Sequence, residues 1–243
     1  METNGLIQIK GISKESQKTI DDVSKVLVYQ IGQPMAVLDV LPDQVLIIIE
    51  GEARLLSSHN EKIITAVKLG KGSFIGLSSI LRASPSEYVT ASTETKVVAW
   101  PTKVILDLYE NEKSFREECQ RTLYPSEALN LANNLMEKST RGDINLNSAF
   151  NALFKNARIQ KIDNNQTIST EKDNKLFISS DNFENQKIGE LITNNFTAKI
   201  RGPFNGRVIQ IPNKLYDEFI PNKNKKANKT NQNLATQNIK NLT

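Results

Sequence analysis

KLGKGSFIGLSSIL (68–81), followed after seven residues by VTASTETKVVAWP (89–101), is the stretch on which the fold turns. A β-like run ends at Leu69, glycines punctuate the turn after it, and Gly76 leads into a short helix. Two more β-like runs, Tyr88–Ser92 and Lys96–Trp100, come next. Pro101 then opens a helix, because its missing N–H would be unpaired there anyway, with Val104, Ile105, Leu108 and Tyr109 as the apolar face.

Upstream, SKESQKTIDDVS (13–24) reads as weakly helical. The runs KVLVYQI (25–31), MAVLDV (35–40), VLIIIEGEARLL (45–56) and KIITAVKL (62–69) are spaced like an antiparallel sandwich or barrel. Gly51 and Ser58–Asn60 suit the turns between them. Downstream, Pro125–Ser126 opens a helix carrying Leu129, Ala132, Leu135 and Met136 at helical spacing. A further short helix with Phe150, Leu153 and Phe154 runs into ARIQKI (157–162). KLFIS (175–179), FTAKIRG (196–202) and RVIQIP (207–212) are β-like, and NKLYDEF (213–219) closes as a helical turn. KVVAWPTKVILDLY (96–109) lies over RVIQIPNKLYDEFI (207–220) without a gap. Lys96 then pairs with Arg207, Val97 with Val208, Pro101 with Pro212 and Lys103 with Lys214, and the two segments predict an internal repeat.

Composition narrows the function. The chain has 243 residues, 38% of them hydrophobic, enough for two modest domains. One cysteine (Cys119) and one histidine (His59) exclude a disulfide within the chain and a His/Cys metal cluster, and fit a reducing compartment. No run approaches a membrane span and the first residues lack a signal-peptide core, so a cytoplasmic location is expected. The net charge is +4, but Pro221–Thr243 holds five lysines and no acid, and subtracting those five leaves −1. That Lys/Asn-rich tail cannot offset its ordering entropy and reads as a spacer, so no nucleic-acid partner is expected. The expected units are 1–124, a helical connector over 125–146, 147–220, and the tail 221–243.

The order of elements resembles the cyclic-nucleotide-binding β-roll. The likeness rests on IIIEGEARLL (47–56), KLGKGSFIGLSSIL (68–81) and VTASTETKVVAWP (89–101). It implies a mainly β fold with flanking helices: a double-stranded β-roll (jelly roll) plus a shortened second roll. More narrowly, SILRASPSEYVTASTETKVVAWP is similar to the N-terminal region of bacterial, especially cyanobacterial, peptidase-containing ABC exporters. That likeness implies a regulatory or docking module facing a protein partner or the following domains of an exporter.

In such a cassette, backbone N–H groups hold the phosphate, a Gly-Glu pair holds the ribose hydroxyl, and an arginine neutralises the phosphate. Gly76 keeps the glycine, but Leu77 stands where the glutamate belongs. The arginine position falls at Pro85 or Ser86, with Glu87 and Tyr88 beside it. A carboxylate about 4 Å from a phosphate charge costs about 4 kcal/mol at an effective dielectric of 20, against about 8 kcal/mol for micromolar binding. Arg82 is the one cation in the cassette that a different loop path could bring to a small anionic ligand, unless it simply ends the helix. Ser78 and Ser79 would ligate that anion or cap the helix.

In the second copy, GELI (189–192) lies only three residues before FTAKIRG, too close for a phosphate-binding helix. Phe196 holds the arginine position, and Arg201 and Arg207 read as solvated strand residues. His59, Cys119 and the Glu117–Glu118 pair offer no catalytic constellation, so no catalytic residue, metal or cofactor is expected. Two alternatives stay open: a sensor of a cyclic nucleotide or metabolite anion, and a regulator similar to the Crp/Fnr family, which the missing basic recognition helix disfavours.

Overall fold

Ser13 caps the first helix, α1 (Lys14–Val23), its side-chain oxygen accepting from the Ser16 amide that the helix start leaves unpaired. The computed structural model describes residue 7 and residues 9–59, 62–139 and 144–220. Strands β1 (Lys25–Tyr29), β2 (Pro34–Ala36), β3 (Gln44–Glu50), β4 (Ala53–His59), β5 (Lys62–Leu69) and β6 (Phe74–Ile75) follow α1. The short helix α2 (Leu77–Leu81) then precedes β7 (Val89–Ala91) and β8 (Thr95–Pro101). They make two antiparallel sheets, β1-β8-β3-β6 and β2-β7-β4-β5. Strand side chains alternate between faces, so Leu46, Ile48, Val97 and Ala99 point inward to meet Leu55 and Val89 of the other sheet. Their neighbours Val45, Ile47, Val98 and Trp100 turn outward beneath α1, α3 (Thr102–Asn111) and α4 (Lys113–Arg121).

Gly51 turns β3 into β4 at φ +87°, and a Cβ there would lie 2.3 Å from the Glu94 carbonyl oxygen, so no other residue fits. MAVLDV contributes less strand than its composition suggests. β2 ends at Ala36, and Val37, Leu38, Val40 and Leu41 are exposed in the loop to β3. Asn60, the side chain of His59 and the tail from 221 lie outside the described residues.

Helices α5 (Pro125–Lys138) and α6 (Leu146–Asn156) lead into β9 (Arg158–Ile162), β10 (Thr167–Ile168), β11 (Asn174–Ile178), β12 (Phe196–Thr197) and β13 (Gly206–Pro212), and α7 (Asn213–Phe219) is the last element among the described residues. The sheet order is β11-β13-β9, with β10 and β12 paired beside it. FTAKIRG thus gives only two residues of strand, and β10 is an element its sequence does not announce. Registers coincide under the alignment of the two strand–helix corners. Pro101 pairs with Gln44 and Ala99 with Lys25; Pro212 pairs with Asn174 and Gln210 with Arg158.

One apolar cluster runs through both units. Leu129, Leu131 and Leu135 of α5 and Phe150 and Leu153 of α6 join the inner faces of the first roll to Ile209 and Ile211 of β13. Each such side chain contributes about 1.5–3 kcal/mol on burial. Peeling the helices away would therefore cost an amount comparable with a domain's whole stability of about 5–15 kcal/mol. Phe154 is the exception on α6, exposed and stacked on Phe150.

Candidate functional site: a cassette holding its own carboxylate

Gly76 sits at φ +90° where β6 gives way to α2, and a Cβ on it would lie 3.1 Å from Pro42 Cγ and 3.2 Å from the Gln44 carbonyl oxygen. The left-handed backbone and the close approach both require glycine. Its N–H donates to Glu87 Oε2 at 2.9 Å. The same oxygen accepts from the Ser79 N–H at 3.3 Å and from Ser79 Oγ at 3.0 Å. Ser79 Oγ also accepts from the Ser86 N–H and lies 3.3 Å from Ser86 Oγ. The carboxylate of Glu87 thus occupies the backbone donors at the start of α2. It is buried, and burial raises its pKa, opposed by the bonds from Ser79 and Gly76 and by the charge of Arg82.

The neighbouring side chains face elsewhere. Leu77 is buried in the core beneath the helices. Ser78 Oγ accepts from Ser126 Oγ at 2.8 Å, which ties α2 to α5. Tyr88 contributes its carbonyl to the Leu56 N–H.

Arg82 corrects the sequence reading, because its side chain does not reach the donors of Gly76 and Ser79. It leaves α2 toward the second unit, only 1% exposed, and Nε donates to the Ser179 carbonyl at 2.5 Å. The Arg82 carbonyl accepts from the Asp181 N–H at 2.8 Å. Glu127 Oε1 lies 3.9 Å from Arg82 Nε, a charge contact rather than a hydrogen bond.

Arg207 is a second correction. It is 4% exposed, not a solvated strand residue. Its Nε donates to Glu127 Oε1 at 2.8 Å and its Nη2 to Glu127 Oε2 at 2.7 Å, a bidentate pair. Nη1 and Nη2 also donate to the carbonyls of Cys119 and Thr122. Burial works against ionising Glu127, but Arg207 and then Arg82 outweigh it and hold the carboxyl below its ordinary range. Sequence reasoning passed over Glu127; its signal was local, three residues after Tyr124, whose N–H it accepts at 3.0 Å.

In the second unit, Gly189 ends a turn, and an isolated bridge at Leu191 is all that stands before the two-residue β12, with no helix between Gly189 and Phe196. Phe196 packs edge-on against Phe183, and Arg201 is exposed, donating to the Asp181 carbonyl. Cys119 is buried, and its thiol is pushed up to about 12, burial being the largest cause. Glu117 and Glu118 face solvent beside Lys113 and Arg121. No helix among the described residues is long and apolar enough to cross a membrane.

With this geometry in place, residues 28–112 match the family model of the cyclic nucleotide-binding domain. The fold is the cyclic-nucleotide-binding β-roll, with antiparallel sheets and flanking helices, mainly β, and the family is one of regulatory modules. Similar solved structures include a cyclic nucleotide-binding domain from Methylobacillus flagellatus, 21% identical over 48% of this chain and 69% of that one, with a TM-score of 0.40. The catabolite activator protein of Thermus thermophilus is 18% identical over 58% and 78%, with a TM-score of 0.37. The cAMP-bound PfPKA-R is 15% identical over 86% and 78%, with a TM-score of 0.39. No curated protein matches the sequence.

Proposed function

We propose that this chain is a non-enzymatic regulatory or docking module whose cyclic-nucleotide-binding cassette works without an external nucleotide. The observation that carries the reading is the carboxylate of Glu87 on the N–H groups of Gly76 and Ser79. A phosphate entering there would displace that carboxylate and meet its charge. It would find no arginine, since Arg82 is committed to Ser179, and no acid for the ribose, since Leu77 is in the core. The coincident registers at β8 and β13 support a second reading within the first: residues 147–220 are a trimmed copy of the roll, joined to residues 1–124 by the connector. Such a pair of rolls suits the cytosolic N-terminal part of a peptide exporter, and a protease domain and membrane spans in the codons that follow would support that placement.

Titration calorimetry with cyclic AMP, cyclic GMP and 2-oxoglutarate tests the central claim. The expected result is no heat at millimolar ligand. Binding at micromolar concentration by any of the three would overturn it in favour of a working sensor.

A further inference from the structure

Arg82 raises a question of acceptors that the fold does not answer by itself. Its guanidinium carries five N–H donors and is 1% exposed. Nε is used by Ser179, but Nη1 is buried with no hydrogen-bond partner among the described residues. The nearby carboxylate cannot serve it. Glu127 Oε1 accepts from Arg207 Nε and Ser179 Oγ, and Oε2 accepts from Arg207 Nη2 and the Tyr124 N–H, which fills the roughly four lone-pair sites of a carboxylate. Glu127 and Arg207 therefore form a closed pair. The other buried carboxylate whose field reaches Arg82, Glu87, spends Oε2 on the cassette amides. A buried charged donor without an acceptor is among the costlier defects in a protein interior, above the roughly 1–3 kcal/mol of a neutral one.

Arg82 lines a cavity of about 50 Å³ between α5 and β11, together with Glu127, Asn130, Asn134, Ser179 and Gly189. That volume holds one or two water-sized occupants, since a water's share of the liquid is roughly 30 Å³. A nucleotide or a metabolite carboxylate is far too large. Among the lining side chains Arg82 Nη1 lacks an acceptor, and the carboxylate of Glu127 is already filled. Asn134 Oδ1 accepts from Lys138 Nζ, which leaves the amide nitrogen of Asn134 on the side of Gly189. What Arg82 Nη1 lacks is an acceptor, and an anion supplies one together with the opposite charge.

We infer that this cavity binds a single monovalent anion of chloride size against Arg82 Nη1, and that the anion helps lock the first roll to the second unit. The site is separate from the cassette around Glu87 and stands whether or not that cassette binds a nucleotide.

The test replaces chloride by bromide in crystals of the full chain and reads the anomalous difference map. A bromide peak within contact of Arg82 Nη1 is expected. In parallel, thermal unfolding is followed in sodium chloride, sodium bromide and sodium gluconate at equal ionic strength. The midpoint should rise with the logarithm of halide concentration, as mass action requires, and gluconate, too large to enter, should not move it. Asn134→Asp places a carboxylate in the cavity wall and should make the midpoint independent of halide while the protein stays folded. A water at the position in bromide crystals, or equal midpoints in all three salts, would overturn the inference.

Discussion

The segment from Gly76 to Tyr88 in the first roll and the segment from Gly189 to Phe196 in the second unit are instructive to compare, since each opens on a glycine with positive φ and each ends in a strand. The first is long enough for α2 and a return loop, and the loop brings back Glu87 to occupy the amides of Gly76 and Ser79. The second has no helix, and its glycine serves as a contact for α5: a Cβ on Gly189 would lie 2.6 Å from Asn134 Nδ2, and its carbonyl lies 3.5 Å from Lys138 Nζ. In the first segment a carboxylate from the return loop occupies the amides at the helix start; the second segment is packing surface against α5. The cations near both have gone to the junction between them, where Arg82 and Arg207 meet Glu127.

The largest effect is expected from breaking that junction. Glu127→Ala leaves two buried guanidinium groups facing each other without their shared carboxylate, a change that costs about 3–5 kcal/mol when one partner of a buried pair is removed. Urea unfolding should show the midpoint falling accordingly. A loss below about 1 kcal/mol would mean that solvent enters the junction and that the two units are held by the apolar cluster alone.

Glu87 gives the next effect and distinguishes the two segments directly. Glu87→Ala strands the Gly76 and Ser79 N–H groups in a buried place, each such donor costing about 1–3 kcal/mol, and added sulfate should recover part of the loss in the variant but not in the parent. Its pH dependence has a definite sign. Burial raises the folded-state pKa of Glu87 above the ordinary 4.5, so in the window just above 4.5 the folded chain holds a proton that the unfolded chain has released. Stability therefore falls as pH rises through that window. Glu127, held below 4.5, does the reverse: its contribution is present above 4.5 and is lost as pH falls through its folded value. Glu87→Gln should erase the first dependence and leave the second. Unfolding midpoints of parent and variant measured from pH 4.5 to 7 should diverge as pH rises, with the parent losing ground.

Much of the fold was legible because it rests on short-range pattern. Gly51, Gly76, Pro101 and Pro212 mark turns and helix starts by backbone chemistry that needs no knowledge of the rest of the chain, and the alternation in VLIIIE and KVVAW assigns each side chain to a face. The position of Glu87 beside the expected arginine site was likewise readable, because it lies only eleven residues from Gly76. The junction was not. Arg207 occupies the place that Lys96 holds in the first corner, and Lys96 is partly exposed, paired with Glu50. By that analogy Arg207 should be solvated, but Glu127, the Tyr124 ring and the carbonyls of Cys119 and Thr122 enclose its guanidinium. Arg82 and Glu127 meet across forty-five residues, a separation that strand periodicity cannot bridge. Charge patterning treats both as surface groups.

The smallest effect bears on whether the two units unfold separately. Each has an N-capped helix before its first strand: Ser13 accepts from the Ser16 amide at the start of α1, and Asn145 accepts from the Ser148 amide at 2.8 Å at the start of α6. Replacing such a cap with alanine costs about 0.5–2 kcal/mol, enough to shift a transition without changing the fold. Both sites are exposed, and the other contact of Ser13, a hydrogen bond to Glu112 at the end of α3, stays within its own unit. If the shared apolar cluster and the Arg82–Glu127–Arg207 contacts make one cooperative body, Ser13→Ala and Asn145→Ala should each move the same single transition, whether it is followed by Trp100 fluorescence in the first roll or by far-ultraviolet circular dichroism over the whole chain. Two transitions, with Asn145→Ala leaving the fluorescence midpoint in place, would mean that the second unit melts while the cassette stays intact, and the junction would then be a contact between independent domains rather than the core of one.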